Sequence, residues 1–363
     1  MKIGKIMLYI NTLQTGGAER VISQLANRFA DAGYDVGMVT SFPCEQEYPV
    51  DSRVKRYNLE EKEIKQSRVM RNVTRISKLR KLCKMQKPDV LISFMQEPNF
   101  RAVMATLGLP VKTVVSVRND PDREYAGKVG RIVGKYILPM ADGCVFQTEQ
   151  AKAWFPVKLQ KKSTVIMNAV NETFFRVTRE KTADIITTGR LTAQKNHAML
   201  IHAFSKIAQK HPNQNLLIYG AGELESELMA QIQALGLDGR VLLKGKTTDV
   251  PSVLAGAKMF VLSSDYEGMP NALMEALAVG VPSISTDCPC GGPNALIRQG
   301  ENGLLVPVGD AETMAEAMDR LLSEEAFAEQ LGNCAREQAV QFKPEAVFAQ
   351  WKAYVESIVN DES

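Results

Sequence analysis

Short apolar runs, four to six residues long, alternate with longer stretches whose apolar positions recur every three or four residues. K-I-M-L-Y-I is followed by the loop N-T-L-Q-T-G-G-A-E-R, then by the helix-like V-I-S-Q-L-A-N-R-F-A-D-A-G and the second run D-V-G-M-V-T. D-V-L-I-S-F, K-T-V-V-S-V, D-G-C-V-F-Q-T and S-T-V-I-M-N continue the series, with helical patterns between them. The later part repeats this logic in D-I-I-T-T-G-R, N-L-L-I-Y-G-A-G-E, R-V-L-L-K-G, M-F-V-L-S-S and V-P-S-I-S-T. Runs that are apolar throughout, rather than alternating, suit strands buried on both faces. Their alternation with helices predicts parallel sheets covered on each side. The expected fold class is therefore α/β, with two doubly wound, Rossmann-like domains facing across a cleft and ligands bound at the C-terminal ends of the strands.

The expected division is a first domain over 1–170, a second over 171–342, and a C-terminal helix within 343–363 that packs back toward the first domain. I-M-N-A-V-N-E-T-F-F, around 166–175, fits the linker. A chain of 363 residues has room for two such cores. Its 45% hydrophobic and 23% charged content is that of a soluble globular protein and excludes disorder. It contains no run of eighteen apolar residues of the kind that spans a bilayer. M-K-I-G-K-I-M-L-Y-I-N has a lysine within its apolar run and lacks a small-residue cleavage site, so it is expected to be a first strand and not a signal peptide. The expected location is cytoplasmic.

Charge is distributed unevenly. The first 170 residues carry 28 Lys and Arg against 16 Asp and Glu, and the remainder 16 against 25. An anionic partner is thus expected for the first half. Its basic segment, R-V-M-R-N-V-T-R-I-S-K-L-R-K-L, places Arg68, Arg71, Arg75 and Lys78 at helical spacing, with Val69, Val73, Ile76 and Leu82 supplying an apolar side. A helix of this kind suits an anionic membrane surface or a lipid pyrophosphate, or equally the solvated outer helix of an α/β domain. Nucleic acid is not an expected partner, because no aromatic residues are interleaved with the basic ones.

Two loops carry candidate chemistry. In T-T-G-R-L-T-A-Q-K-N-H, Gly189 allows a tight exit from a strand, and Arg190 and Lys195 sit before a helix whose first N–H groups favour an anion. This is a seat for a diphosphate, or an exposed loop with two solvated cations. In S-S-D-Y-E-G-M-P-N-A-L-M-E, Pro270 suits the first helical turn, Gly268 lets a ligand approach the backbone, and the N–H groups of Met269 and Asn271 are free to meet a phosphate or sugar. Glu267 before the turn and Glu275 inside the helix can accept from diols; acids near a helix start are also stabilising without any ligand. Cys288 and Cys290 form a C-x-C pair without a second pair or nearby histidine, so the six cysteines are expected to be reduced structural thiols. His197 and His202 are poorly spaced for joint metal ligation, and with His211 they are expected to be packed or solvated.

E-G-M-P-N-A-L-M-E resembles the E-x7-E motif of the retaining glycosyltransferases of family 4, which have the GT-B fold. G-R-L-T-A-Q-K-N, T-G-G-A-E-R, Y-G-A-G-E-L-E-S-E-L and G-E-N-G-L-L-V-P-V-G-D resemble further elements of that family, in its order and spacing, across nearly the whole chain. The resemblance is to bacterial enzymes that extend lipid-linked or capsular oligosaccharides. It implies that Arg190 and Lys195 hold the donor diphosphate, Glu267 touches the donor sugar and Glu275 the ribose. Gly16 and Gly17 would start the first helix close to the reacting carbon. Gly245, Lys246 and Thr247 would meet the base, and Gly220 and Gly222 would only permit close packing. Many relatives carry S-E-H where this chain has V-S-V-R-N-D-P, so Arg118 stands in the place of a histidine. It would bind phosphate or acceptor, or serve structurally. Asp120 and Asp122 imitate the D-x-D metal motif of the other glycosyltransferase fold, but the cationic seat makes a metal unnecessary.

The expected function is a retaining, metal-independent hexosyltransferase. It would move a hexose or N-acetylhexosamine from a UDP-sugar to a polyprenyl-pyrophosphate-linked glycan, working peripherally at the cytosolic membrane face through Arg68, Arg71, Arg75 and Lys78. The alternatives are a UDP-sugar epimerase of the same architecture and a non-catalytic nucleotide-sugar-binding protein.

Overall fold

The computed structural model describes residues 4–14, 16–63, 67–180 and 184–360. They form two compact units, one of Met1–Asn168 with Glu345–Ser363 and the other of Ala169–Pro344. The first holds a seven-stranded sheet in the order β3-β2-β1-β4-β5-β6-β7, the second a six-stranded sheet in the order β10-β9-β8-β11-β12-β13. All the strand ladders are parallel.

In the first unit β1 (Lys5–Ile10), β4 (Val90–Phe94), β5 (Lys112–Ser116) and β6 (Gly143–Phe146) are buried almost throughout. That burial is what their uninterrupted apolar runs require. β2 (Asp35–Thr40) lies between β1 and the exposed edge strand β3 (Lys55–Asn58), whose K-R-Y-N has no apolar run to announce it. β7 (Ser163–Val165) closes the opposite edge. Helix α1 (Gly17–Asp31) buries Ile22, Leu25, Ala26 and Phe29. Helix α2 (Arg68–Gln86) packs on α3 (Gln96–Thr106).

The C-terminal helix Pro344–Asn360 belongs to this first unit. Its Trp351 is buried and stacks on Phe94 with ring centroids 5.6 Å apart, and Phe348 meets Phe29 edge-on at 5.1 Å. The Tyr354 hydroxyl accepts from the Cys144 N–H at 2.8 Å and donates to the Lys162 carbonyl at 2.6 Å, which fixes the helix against β6. Aromatic burial is the larger contribution, and the paired hydroxyl removes the penalty of burying a polar group.

In the second unit β8 (Ile185–Thr188) and β11 (Met259–Leu262) are neighbours, with β9 (Leu216–Tyr219) and β10 (Val241–Gly245) to one side and β12 (Ser283–Thr286) and β13 (Leu304–Val306) to the other. The chain runs from β8 outward through β9 to β10, then returns to β11 and proceeds the opposite way. The β8–β11 junction is therefore the topological switch point, where the loops leaving two adjacent strands part and leave a crevice. In the first sheet the corresponding point lies between β1 and β4.

Candidate active site

The loops leaving β8 and β11 are joined by a set of polar contacts. Asp265 N–H donates to the Gln194 carbonyl at 2.9 Å, and Gln194 Nε2 donates to the Tyr266 carbonyl at 2.9 Å. Asn196 Nδ2 donates to Asp265 Oδ1 at 2.8 Å, and Ser263 Oγ to the Lys195 carbonyl at 2.8 Å. Asn196 takes a left-handed conformation (φ 44°), caps the helix His197–Ile207 with its side chain, and so turns the chain sharply after Lys195.

This lattice brings Lys195 and Glu267 together. Lys195 Nζ donates to Glu267 Oε1 at 2.5 Å, and Ser264 Oγ donates to the same oxygen at 2.7 Å. Both side chains are largely buried, at 14% and 9% exposure. Arg190, the second residue of the loop that leaves β8, is exposed. Pro270 is the residue before the helix Asn271–Val279 and not its first residue, as the sequence led one to expect. Its extended conformation (ψ 97°) turns the chain into the helix one position later. Gly268, Met269 and Glu275 are buried, and Asn271 is half-buried.

Glycines bring the neighbouring backbones close. A Cβ on Gly220 would lie 1.7 Å from the Gly189 carbonyl oxygen, and one on Gly222 would lie 2.2 Å from that of Leu191. These two glycines therefore press the β9 loop against the loop that carries Arg190. On the other flank a Cβ on Gly292 would lie 1.9 Å from the Gly268 carbonyl oxygen. Gly245 sits at φ 69° where β10 ends; beyond it Lys246 is exposed, and Thr247 is half-buried with its hydroxyl accepting from Asp249 N–H at 3.1 Å.

Sequence reasoning did not single out Ser264, Thr286 or Gly292. Thr286 Oγ1 donates to the Ser264 carbonyl at 2.5 Å, and so holds the residue that holds Glu267. The strand-to-loop transition S-S-D-Y-E and the glycine pair of C-G-G-P were the available signals. Cys288 lies against the same site. Burial, followed by the Glu267 charge, pushes its thiol up to about 12. His197 is buried beneath the loop; burial, then the Lys195 charge, pulls it down to about 4, so its ring is neutral near pH 7. His202 is exposed, and His211 pairs with Asp319 at 2.7 Å.

The first unit holds the remaining predicted residues. Gly16 caps α1 in an extended conformation and Gly17 opens that helix; Thr15 lies outside the described residues. Arg118 follows β5 and turns inward. Its guanidinium donates to Asn168 Oδ1 and lies 4.7 Å over the Phe94 ring. Gln147 Nε2 also donates to Asn168 Oδ1, at 2.9 Å. Arg118 is thus engaged with protein groups in a buried cluster. Asp120 Oδ1 accepts from Asp122 N–H at 3.0 Å, and Asp122 Oδ1 accepts from Trp154 Nε1 at 2.8 Å; the pair serves as a helix cap and a tryptophan anchor.

The basic helix α2 needs correction. Arg75 is not on an outer face. It is 3% exposed, donates to Glu60 Oε2 at 2.8 Å and lies over the Phe42 ring. Of the expected apolar side, Val69 and Val73 are exposed, whereas Leu82 is buried together with Leu79 and Cys83. The helix turns its Arg75–Leu79–Leu82 side inward because Glu60 provides a counter-charge there, which the helical spacing alone did not reveal. Arg68 Nε meets Glu97 Oε1 at 3.1 Å, Arg71 Nη2 reaches it at 4.0 Å, and the fully buried Arg101 donates to the same carboxylate. Lys78 is exposed.

Comparisons with known proteins agree with this architecture. Residues 15–174 match the family model described as Glycosyltransferase Family 4, and residues 170–338 match that described as Glycosyl transferases group 1. The chain is 26% identical over 362 residues to the GalNAc-alpha-(1->4)-GalNAc-alpha-(1->3)-diNAcBac-PP-undecaprenol alpha-1,4-N-acetyl-D-galactosaminyltransferase of Campylobacter jejuni, covering 98% of this chain and 99% of that one. It is 35% identical over 226 residues to an exopolysaccharide phosphotransferase of Streptomyces coelicolor, where it spans 24% of that protein's length. In three dimensions it is similar to HepE of Anabaena in complex with UDP, with a TM-score of 0.80 at 16% identity, covering 98% of this chain and 100% of that chain.

Proposed function

The chain belongs to the family 4 glycosyltransferases of GT-B fold, and from that premise we propose that it is a retaining, metal-independent transferase. In this reading it moves a hexose or N-acetylhexosamine from a UDP-sugar to a polyprenyl-pyrophosphate-linked glycan. The observation that carries the reading is the Lys195–Glu267 pair at the switch point of the second sheet, with Arg190 exposed on the loop that carries Lys195. A cationic pair and a hydrogen-bonded carboxylate suit the two ends of a sugar diphosphate.

In the proposed reaction the bond between the anomeric carbon and the diphosphate oxygen breaks, and its electron pair leaves with the diphosphate. Arg190, Lys195 and the first N–H groups of the helix Asn271–Val279 oppose the developing charge, each well-placed donor contributing about 3–4 kcal/mol. The acceptor hydroxyl forms the new bond on the same face of the sugar and passes its proton to the departing phosphate oxygen. Glu267 accepts from sugar hydroxyls, and Ser264 and Lys195 hold its carboxylate for that task. Glu275 accepts from the ribose diol, and Lys246 and Thr247 border the base. Arg118 acts by positioning Asn168 and not by touching the donor. The exposed Arg68 and Lys78 and the half-buried Arg71 face the acceptor, while Arg75 is withdrawn from that role.

The relative from Campylobacter is named for a diphospho-undecaprenol-linked acceptor, which supports the acceptor class. The test is incubation with a panel of labelled sugar nucleotides and a lipid-linked acceptor, with and without EDTA. Transfer from a UDP-sugar with retained anomeric configuration, undiminished by EDTA, is expected. Inverted product, or activity restored only by a divalent ion, would overturn the mechanism. Epimerised sugar without transfer would replace it with the epimerase.

A further inference from the structure

The segment Gly127–Met140 has its large and small residues the opposite way round from a core helix. It runs as one continuous helical stretch, α-helical over Gly127–Ile132, wider over Val133–Ile137 and tighter over Leu138–Met140. Gly130 and Gly134 face inward. A Cβ on Gly130 would lie 2.5 Å from the Tyr125 backbone, and one on Gly134 would lie 2.8 Å from the Trp154 ring. The segment is thus pressed onto the first unit through these glycines together with Val133 and Leu138, while four other bulky apolar residues point out. Val129 is 70% exposed, Ile132 53%, Tyr136 69% and Met140 44%. Their three- and four-residue spacing sets them in one stripe along the segment.

A soluble surface has no use for such a stripe, and contiguous exposed apolar patches mark contact sites. The charge beside it identifies the partner. Lys128, Arg131 and Lys135 are exposed along its flank, and the sequence has no acid from Tyr125 to Ala141. The short helix Val157–Gln160, which touches the Leu138–Met140 turn, adds exposed Val157, Lys158 and Lys161. A protein partner would need a matching apolar groove lined with acids. A bilayer containing anionic lipid meets both requirements at once, since apolar side chains enter the acyl boundary and flanking cations pair with headgroups.

We propose that Gly127–Met140 is the segment by which this protein docks on an anionic membrane. Val129, Ile132, Tyr136 and Met140 insert, and Lys128, Arg131 and Lys135 hold the headgroups. This surface is distinct from α2, on which the acceptor reading rests. The purpose of docking rests on that reading, because a lipid-linked acceptor lies at a membrane, but the geometry does not.

The test is co-sedimentation of the full chain with vesicles of two parts phosphatidylcholine to one part phosphatidylglycerol, and with phosphatidylcholine alone. Wild type should bind the anionic vesicles and release as salt rises. Ile132→Ser with Tyr136→Ser should lower partitioning by at least about tenfold, since each removes apolar area from the acyl boundary. Lys128→Glu with Arg131→Glu and Lys135→Glu should lower it by about a hundredfold at low salt. Met229→Ser, at an exposed apolar position of the second unit, should leave it unchanged. Tryptophan-detected unfolding midpoints near wild type show that the variants are folded. Equal binding by wild type and either multiple variant overturns the proposal, as does equal binding of wild type to neutral vesicles. A lipid-free dimer that the Ile132→Ser, Tyr136→Ser variant dissolves would also overturn it, by assigning the stripe to a second copy. If the vesicle results hold and no acceptor is glycosylated, the proposed function fails and the docking surface stands.

Discussion

At the switch point of the six-stranded sheet, Arg190 is exposed, while Lys195 forms a largely buried pair with Glu267. At the corresponding point of the seven-stranded sheet, Arg101 is fully buried among Glu97, Asn11 and Asn72, and close by Arg118 is buried against Asn168 and Phe94. The two sheets share a winding order, yet one leaves a cation, Arg190, exposed beside the Lys195–Glu267 pair, and the other encloses both of its cations. The difference arises from what each loop finds beneath it. In the second unit, serine, threonine and backbone carbonyls bind the loops to one another, Glu267 draws in Lys195 alone, and Arg190 stays exposed. In the first, carboxylates and amide side chains lie inside and draw the guanidiniums to themselves. A buried ion is tolerated only when paired, so such a cation is structural before it is anything else.

The contrast is sharpest at Arg75. Arg75→Ala leaves Glu60 buried without its counter-charge, and the first unit should lose about 3–5 kcal/mol of stability, whereas Lys78→Ala should change it by less than about 0.5 kcal/mol. Urea unfolding followed by tryptophan fluorescence reads this directly, because both tryptophans, Trp154 and Trp351, lie in the first unit. Equal midpoints for the two variants would erase the distinction between enclosed and presented cations.

The two units should also respond oppositely to pH. Glu124 is buried, accepts from Gln96 N–H at 2.7 Å, and is pushed up to about 7 by burial, with that hydrogen bond and the Arg118 charge opposing. The folded chain then retains a proton that the unfolded chain releases from about pH 4.5. Stability of the first unit should therefore fall by roughly 3 kcal/mol as pH rises from 4.5 through 7. His197 in the second unit is depressed, so its neutral ring favours the folded state above about pH 6.5, and that stability is lost as pH falls toward 4. Glu124→Gln should flatten the first slope, as seen in tryptophan-detected urea midpoints at pH 5 and pH 8, and leave the second untouched. An unchanged slope in that variant would remove Glu124 as its source.

At the presented edge the expected effect is catalytic and not structural. Arg190→Ala and Lys195→Ala should each lower turnover about 10²-fold, equivalent to about 2.7 kcal/mol of transition-state stabilisation. Unfolding midpoints should move little for the exposed Arg190. Initial rates at saturating donor check this, and near-normal rates in both variants would break the diphosphate assignment. A smaller effect on the rate is expected from Thr286→Val. Loss of its bond to the Ser264 carbonyl loosens the support of Glu267 by about 1 kcal/mol, within tenfold in rate.

Much of this was legible in the residues. Apolar runs announced eleven strands because a strand buried on both faces must be apolar throughout. They did not announce β3, an edge strand reading K-R-Y-N, nor the three-residue β13, since neither presents a run long enough to stand out. The loops carrying Arg190, Lys195 and Glu267 were visible because strand, glycine and helix start follow in close order. Ser264 and Thr286 were not, since a serine or threonine at a strand end is common and only its partner gives it a role. Arg75 was read from its spacing as one of four like cations on α2. Glu60, fifteen residues earlier, could not be assigned to it from spacing of any period.

The sequence by itself determined the two α/β halves, the order of their strands along the chain, and the two loops that bear the candidate chemistry. These follow from local periodicity and from the conformations that glycine and proline allow. The tertiary structure alone decided which cations are enclosed and which are exposed, and which side chains, Trp351, Phe348 and Tyr354, hold the C-terminal helix to the first unit. It also decided that Gly127–Met140 turns its bulky side outward. A side chain's exposure depends on what distant segments place against it, and a glycine that admits a tryptophan ring at one position commits its neighbours to solvent or to lipid.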